Sequence, residues 1–246
     1  MDAAQDLDGR VALVIDGAGG LGRSVTDRLL AGGASVAVGT RDQPDELPTG
    51  ARWFGADVRE ADGAATLVAA VVDHHGRLDV LVTGAGGSPP ADAATADAPF
   101  TTAVVTLNLL APLWVSRAAN AVMQDQDSGG AIVHLGPLDG LGPSPGTAAY
   151  GAAKAGLVHL TRSLAVEWAP RVRVNCVSAD HLEPGSDHVP QAGAAAAPLG
   201  RLGTGADVAE AVAYLASPGA AYVTGSNLLV HGGDDHPAYL SAIAVS

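Results

Sequence analysis

Val11 to Arg23 reads Val-Ala-Leu-Val-Ile-Asp-Gly-Ala-Gly-Gly-Leu-Gly-Arg, an apolar run that enters a glycine-rich turn. Gly17, Gly19 and Gly22 have the spacing G-x-G-x-x-G, and Ser24 to Leu30 continues at helical spacing. A buried strand, a tight turn and a helix N-terminus in that order present backbone N–H groups to a dinucleotide pyrophosphate. The residue entering the turn is Asp16, a carboxylate set where that dianion would lie. At about 5–6 Å, one such pair of like charges costs roughly 3 kcal/mol at an effective dielectric near 20. Against both phosphates, affinity falls by about four orders of magnitude unless Asp16 turns away, meets a cation or is protonated.

Other groups able to do chemistry lie further along. The second apolar run, Ala34 to Gly39, ends in Thr40-Arg41 with no acidic residue. A carboxylate there would bind adenosine ribose hydroxyls, whereas an arginine suits a 2′-phosphate, so Arg23 and Arg41 lean the cofactor toward NADP. Asp180, His181, Glu183, Asp187 and His188 fall together in one stretch, but their spacing matches no metal motif, and no metal is expected. His134, near the end of an apolar run, reads as a hydrogen-bonded core histidine, and His74-His75 as an exposed helix end.

The bulk numbers bound what these groups can be part of. A chain of 246 residues, 48% hydrophobic and 16% charged, supports one α/β domain spanning residues 1–246 with a full core. A net charge of −13 argues against nucleic acid or an anionic membrane as partner. Cys176 stands alone, which excludes an intramolecular disulfide framework and suits a reducing compartment. Met1 to Asp8 is acidic without a signal-peptide pattern, and no apolar run is expected to span a bilayer, so a cytoplasmic location is expected.

Strand-like and helix-like runs alternate throughout. Strands are expected at Ala51 to Gly55, Leu78 to Val82, Ala131 to Leu135, Arg171 to Val177 and Asn227 to His231, besides the two above. Helices are expected at Ala64 to His75, Phe100 to Met123 (bent near Pro112), Thr147 to Trp168, and Ala206 to Leu215 opening at a Thr204 cap. Ser88 to Pro99 and Ser178 to Leu199 read as loops. The fold class is therefore a doubly wound, Rossmann-like parallel sheet of about seven strands flanked by helices. Asn108 falls on the first long helix, and Tyr150 and Lys154, four apart, share a face of the second.

Together these marks resemble the short-chain dehydrogenase/reductase family over essentially the whole chain. The specific ones are Tyr150-Gly-Ala-Ala-Lys154, the glycine turn, Asp57-Val58, Leu107-Asn108, Arg173-Val174-Asn175 and the final Gly232-Gly233. The resemblance implies hydride transfer between a nicotinamide and a carbonyl or alcohol, with Tyr150 as acid or base. Lys154 would lower the phenol pKa, and Asn108 would hold a water connected to the lysine. Gly17, Gly20, Leu21, Gly22, Arg23, Arg41, Asp57, Val58, Ala85 and Gly86 would line the cofactor. A small-molecule substrate and a homo-oligomer, dimer or tetramer, are likewise implied.

The chain also departs from the family pattern where strands end. In Thr-Gly-x-x-x-Gly-x-Gly, Ile15 and Asp16 replace the threonine and first glycine, while Gly20 and Gly22 remain. Asn-Asn-Ala-Gly becomes Thr83-Gly84-Ala85-Gly86, and Pro-Gly becomes Ala179-Asp180. The serine expected thirteen residues before the tyrosine is Pro137, which has neither hydroxyl nor N–H. Losing that hydrogen bond costs roughly a hundredfold in rate. Three readings follow. The first is a non-redox enzyme using Tyr150 and Lys154 for cyclisation, isomerisation or dehydration of a small carbonyl or hydroxy compound. The second is an NADP-dependent ketone reductase or alcohol dehydrogenase whose missing hydroxyl comes from Ser144, Thr147 or water. The third is a non-catalytic subunit in a mixed oligomer with an active relative.

Overall fold

Val11–Ile15 is buried at every position, as a strand covered on both faces requires. Its side chains alternate: Ala12 and Val14 face one core, Val11, Leu13 and Ile15 the other. In the computed structural model, which describes residues 7–84, 86–137, 140–179, 182 and 198–233, this strand (β1) lies at the centre of a seven-stranded sheet. The others are β2 Ser35–Thr40, β3 Arg52–Gly55, β4 Val80–Thr83, β5 Gly130–Pro137, β6 Val172–Ala179 and β7 Asn227–Val230. All pairings are parallel, in the order β3-β2-β1-β4-β5-β6-β7. The crossovers reverse direction between β1 and β4, and such a switch point opens a crevice at the carboxyl ends of the strands.

Helices cover both faces. Val25 and Leu29 of α1 (Gly20–Ala31) join Val208, Val212 and Leu215 of α6 (Gly205–Ala216) over one face. Helices α2 (Ala61–His75), α4 (Ala111–Asp125) and α5 (Ala148–Glu167) cover the other with Leu67, Val71, Val115, Met123 and Leu164. Thr204 caps α6 in a reciprocal box: its hydroxyl accepts from the Asp207 N–H, and the Asp207 carboxylate accepts from the Thr204 N–H. At the opposite end of the sheet, Asp79 ties two strand starts together. Its carboxylate accepts from Val11 N at 3.0 Å and pairs with Arg10 and Arg77 at 3.0 and 2.5 Å.

Most strand ends and both ends of α5 shift by one or two residues from expectation, and three further differences have a readable cause. Helix α2 opens at Ala61 rather than Ala64, because polar first-turn residues carry no apolar periodicity. The loop after β4 ends earlier than Pro99, since Asp97 caps α3 (Ala98–Val105) by accepting from Phe100 N at 2.8 Å. The long helix is not broken at Pro112. Thr106–Leu110 widens into one π-type turn just ahead of the proline, which then sits in the first turn of α4 where its missing N–H costs little. By length and composition, Ala98–Asp125 is long and apolar enough to cross a membrane, contrary to the expectation that no run reaches that length. Here it packs against α2, α5 and the sheet.

Candidate active site

Helix α5 is rich in alanine and leucine, residues with good helix propensity, and presents Tyr150 and Lys154 from one face toward the carboxyl end of β5. Both are buried, at 4% and 3% exposure. The Lys154 ammonium donates to the Leu135 carbonyl at 3.4 Å and stands 5.7 Å from the centre of the Tyr150 ring. Burial lowers its pKa from 10.5 to about 8. The ammonium therefore remains charged at neutral pH, close beside the phenol.

Gly86 explains how this corner is closed. A Cβ there would sit 2.6 Å from Asn108 Oδ1 and 2.7 Å from Lys154 Nζ, so a larger residue would have to displace one or both side-chain ends. Asn108, in the widened helical turn, uses its whole amide on backbone. It accepts from Gly87 N at 3.0 Å and donates to the Gly87 and Val104 carbonyls, each at 2.9 Å. The side chain is therefore a clamp on the loop after β4, its amide bonded to backbone where the family resemblance implies a water connected to the lysine.

Beneath the pair, Thr83, His134 and Cys176 stand side by side on neighbouring strands. His134 Nδ1 meets Thr83 Oγ1 at 2.9 Å, and its Nε2 finds no partner among the described residues. Burial, with Lys154 adding to it, pushes the imidazole down to about 3, so it is neutral. His134 is the core histidine expected. Burial pushes the Cys176 thiol up to about 11, against the opposing pulls of Ser178 and Lys154.

Pro137 ends β5 in register with Ala179. Seven and ten residues on, Ser144 Oγ and Thr147 Oγ1 lie 2.5 Å apart, just ahead of Tyr150. The loop after β4 reaches this turn through the Ala91 N–H, which donates to the Gly146 carbonyl at 2.8 Å.

The nucleotide end is a cavity of about 280 Å³ at the tips of β1, β2 and β3, lined by Asp16, Thr40, Arg41, Asp57, Val58, Arg59, Gly86 and Leu107 among others. Asp16 adopts φ +62°, a left-handed conformation that aspartate tolerates better than most residues, and its N–H donates to the Gly39 carbonyl at 2.9 Å. Its carbonyl comes so close to α1 that a Cβ on Gly22 would lie 2.1 Å away. The same cavity wall holds two guanidinium groups. Arg41 pairs with Asp42 at 2.8 Å, and Arg59 grips Asp57, holding that carboxyl down near 2 chiefly through their side-chain hydrogen bonds. Arg23 lies apart, 3.5 Å from Asp27 and 3.9 Å from Glu46.

The structure thus gathers Arg41, Asp57, Val58 and Gly86 around one cavity, with Gly17, Gly20, Leu21 and Gly22 in the adjoining turn and helix start. Arg59 was not singled out from sequence, and Thr40 and Leu107 were quoted only as neighbours of Arg41 and Asn108. Arg59 carried a usable signal, an arginine two residues after an expected strand-end aspartate. Ala85 and the stretch holding Asp180, His181, Glu183, Asp187 and His188 lie outside the described residues. Among the described residues, no three metal-ligating side chains converge.

The family model described as Enoyl-(Acyl carrier protein) reductase matches residues 17–234. The chain is 35% identical to 2-(S)-hydroxypropyl-CoM dehydrogenase 3 of Xanthobacter autotrophicus, over 92% of this chain and 97% of that one. It is 32% identical to the 3-oxoacyl-[acyl-carrier-protein] reductase FabG of Vibrio cholerae, over 93% and 98%. The crystal structure of a short-chain dehydrogenase/reductase from Serratia marcescens superposes with a TM-score of 0.84 at 29% identity, covering 94% of this chain and all of that one.

Proposed function

Because the chain belongs to the short-chain dehydrogenase/reductase family, we propose that it is an NADP-dependent reductase or dehydrogenase of a small carbonyl or hydroxy compound, with Tyr150 as its acid–base group. The observation that carries this is the buried Lys154 ammonium, held by the Leu135 carbonyl 5.7 Å from the Tyr150 ring. Burying an ammonium costs several kcal/mol, and a scaffold role would be filled better by an apolar side chain. The fit to a dinucleotide rests on the cavity at the strand tips. Gly22 lets the start of α1 pack against the Asp16 carbonyl at its edge, and Arg41 and Arg59 stand in the cavity wall, where a 2′-phosphate would find cations.

Bound nicotinamide would supply the hydride. In the reducing direction, Tyr150 donates its phenolic proton to the substrate oxygen as the carbonyl carbon is reduced, and the alcohol leaves. Lys154 stabilises the resulting phenolate, which regains its proton from solvent. Asn108 keeps the Gly86–Gly87 backbone seated over the lysine. The protein would act on its small-molecule substrate as a cytoplasmic homo-oligomer. Support for hydride transfer over non-redox chemistry or a silent-subunit role comes from relatives named as dehydrogenases and reductases.

NADPH titration tests this proposal. Trp53 donates its indole N–H to Thr40 Oγ1 at 2.9 Å on the rim of the cavity, so its emission should be quenched saturably at micromolar NADPH. Carbonyl reduction by the parent should fall at least a hundredfold in Tyr150→Phe. No saturable change up to millimolar cofactor, or product formed without nicotinamide, overturns the proposal.

A further inference from the structure

We propose that the Thr147 hydroxyl, oriented by Ser144, binds the reacting oxygen of the substrate beside Tyr150. The inference rests on the hydride-transfer function proposed above and assigns a group to the gap left by Pro137. A carbonyl oxygen has two acceptor directions, and the phenol of Tyr150 fills one. At the end of β5, Pro137 offers no second donor, because it lacks both hydroxyl and N–H.

Thr147 is the residue just ahead of helix α5, three before Tyr150, and Tyr150 and Lys154 follow four apart on one face of that helix. Thr147 occupies the cap position yet makes no side-chain cap. A capping threonine ordinarily turns its oxygen onto the helix N–H groups. Here Oγ1 turns to Ser144 Oγ, 2.5 Å away. When Ser144 donates across that contact, the Thr147 hydrogen remains available, and a hydroxyl that is itself accepting donates more strongly. Both side chains are half-buried. The Ala91–Gly146 hydrogen bond brings the loop after β4 against the same turn, forming a wall.

The other described hydroxyls around the strand ends are already engaged. Thr83 meets His134, Ser178 donates to Asn227 Oδ1 at 2.9 Å, Ser88 donates to the Pro89 carbonyl at 2.9 Å, and Thr40 donates to the Asp42 carbonyl at 2.7 Å. Thr147 is a catalytic residue on this assignment, because it touches the substrate oxygen. Ser144 is a positioning residue.

The test is steady-state carbonyl reduction together with NADPH binding read from tryptophan emission. Thr147→Val keeps the shape and removes the hydroxyl. It should lower kcat/KM about a hundredfold while leaving the NADPH Kd within twofold. Thr147→Ser should retain activity within a few-fold. Ser144→Ala should lower kcat about tenfold with little change in KM, and Ser144→Thr should restore it. In Thr147→Val, Pro137→Ser should recover at least part of the loss by returning a hydroxyl to the strand end. A Thr147→Val variant within threefold of the parent overturns the assignment, as does one that loses NADPH binding in step with activity. A parent that reduces no carbonyl defeats the hydride-transfer function first, and this assignment falls with it.

Discussion

Lys154 shows what the site costs at the scale of one residue. Its pKa falls from 10.5 to about 8 because burial disfavours the charged form. Below pH 8 the folded protein carries that unfavourable charge, and the cost fades as pH rises from 8 toward 10.5. The difference is roughly 3 kcal/mol at neutral pH. Lys154→Met should therefore be more stable than the parent at pH 7 by up to about that amount, with the gap closing by pH 10.5, while activity is lost. Urea titrations at pH 7 and pH 10 measure it, and a variant less stable at both would show that the ammonium is favourably solvated. The shared face of Tyr150 and Lys154 was legible because a spacing of four fixes it on one helix, whereas Asn108, on another helix, was pointed to only by the family resemblance. Asp16 was legible only as an oddity. Sequence gave its charge, but the two arginines in the same cavity wall come from strand tips β2 and β3, brought there by the sheet.

At the scale of elements, the widened turn Thr106–Leu110 carries the most consequence. Asn108 leaves none of its amide unused, binding Gly87 on both backbone groups and taking the Val104 carbonyl as well. Asn108→Ala would strand those buried groups at about 1–3 kcal/mol for each one left unpaired, part of it relieved by relaxation. We expect a total destabilisation of about 2–4 kcal/mol, with hydrogen exchange at Gly87 accelerated far more than in the strands. Equal acceleration everywhere would mean that the clamp has no local role. Sequence reasoning placed the helix and attributed a bend to Pro112. It missed the wider turn, whose Asn108 is tied to Gly87, twenty-one residues away in chain order, by a loop contact that no local pattern encodes. The Thr204 cap was readable for the opposite reason, since both partners of its box lie within four residues.

Across the whole molecule, strand order puts proton chemistry at one end of the sheet and structural fastening at the other. Asp79, buried at the starts of β1 and β4, accepts from Val11 N and from two arginines. Burial raises its pKa, and Arg77, the Val11 N–H and Arg10 together outweigh that and lower it. Asp79→Ala should cost about 2–4 kcal/mol, because it strands a buried N–H and two half-exposed cations. Tryptophan quenching by NADPH should survive in the fraction that folds. A neutral result in denaturant titration would show that the pairs bring no net gain. The alternation of strands and helices was readable because parallel strands are apolar throughout, whereas the grouping of their tips into a cavity is a property of the closed sheet.

The row of Thr83, His134 and Cys176 carries one more consequence, because the only thiol in the chain lies beneath Tyr150 and Lys154. Fully enclosed and held protonated by a pKa near 11, it can be alkylated only when that part of the sheet opens. Iodoacetamide uptake thus serves as a clock for breathing of the fold beneath the site. A ligand that fills the crevice should slow it in proportion to occupancy, whereas one bound elsewhere without stabilising the fold should leave its rate untouched.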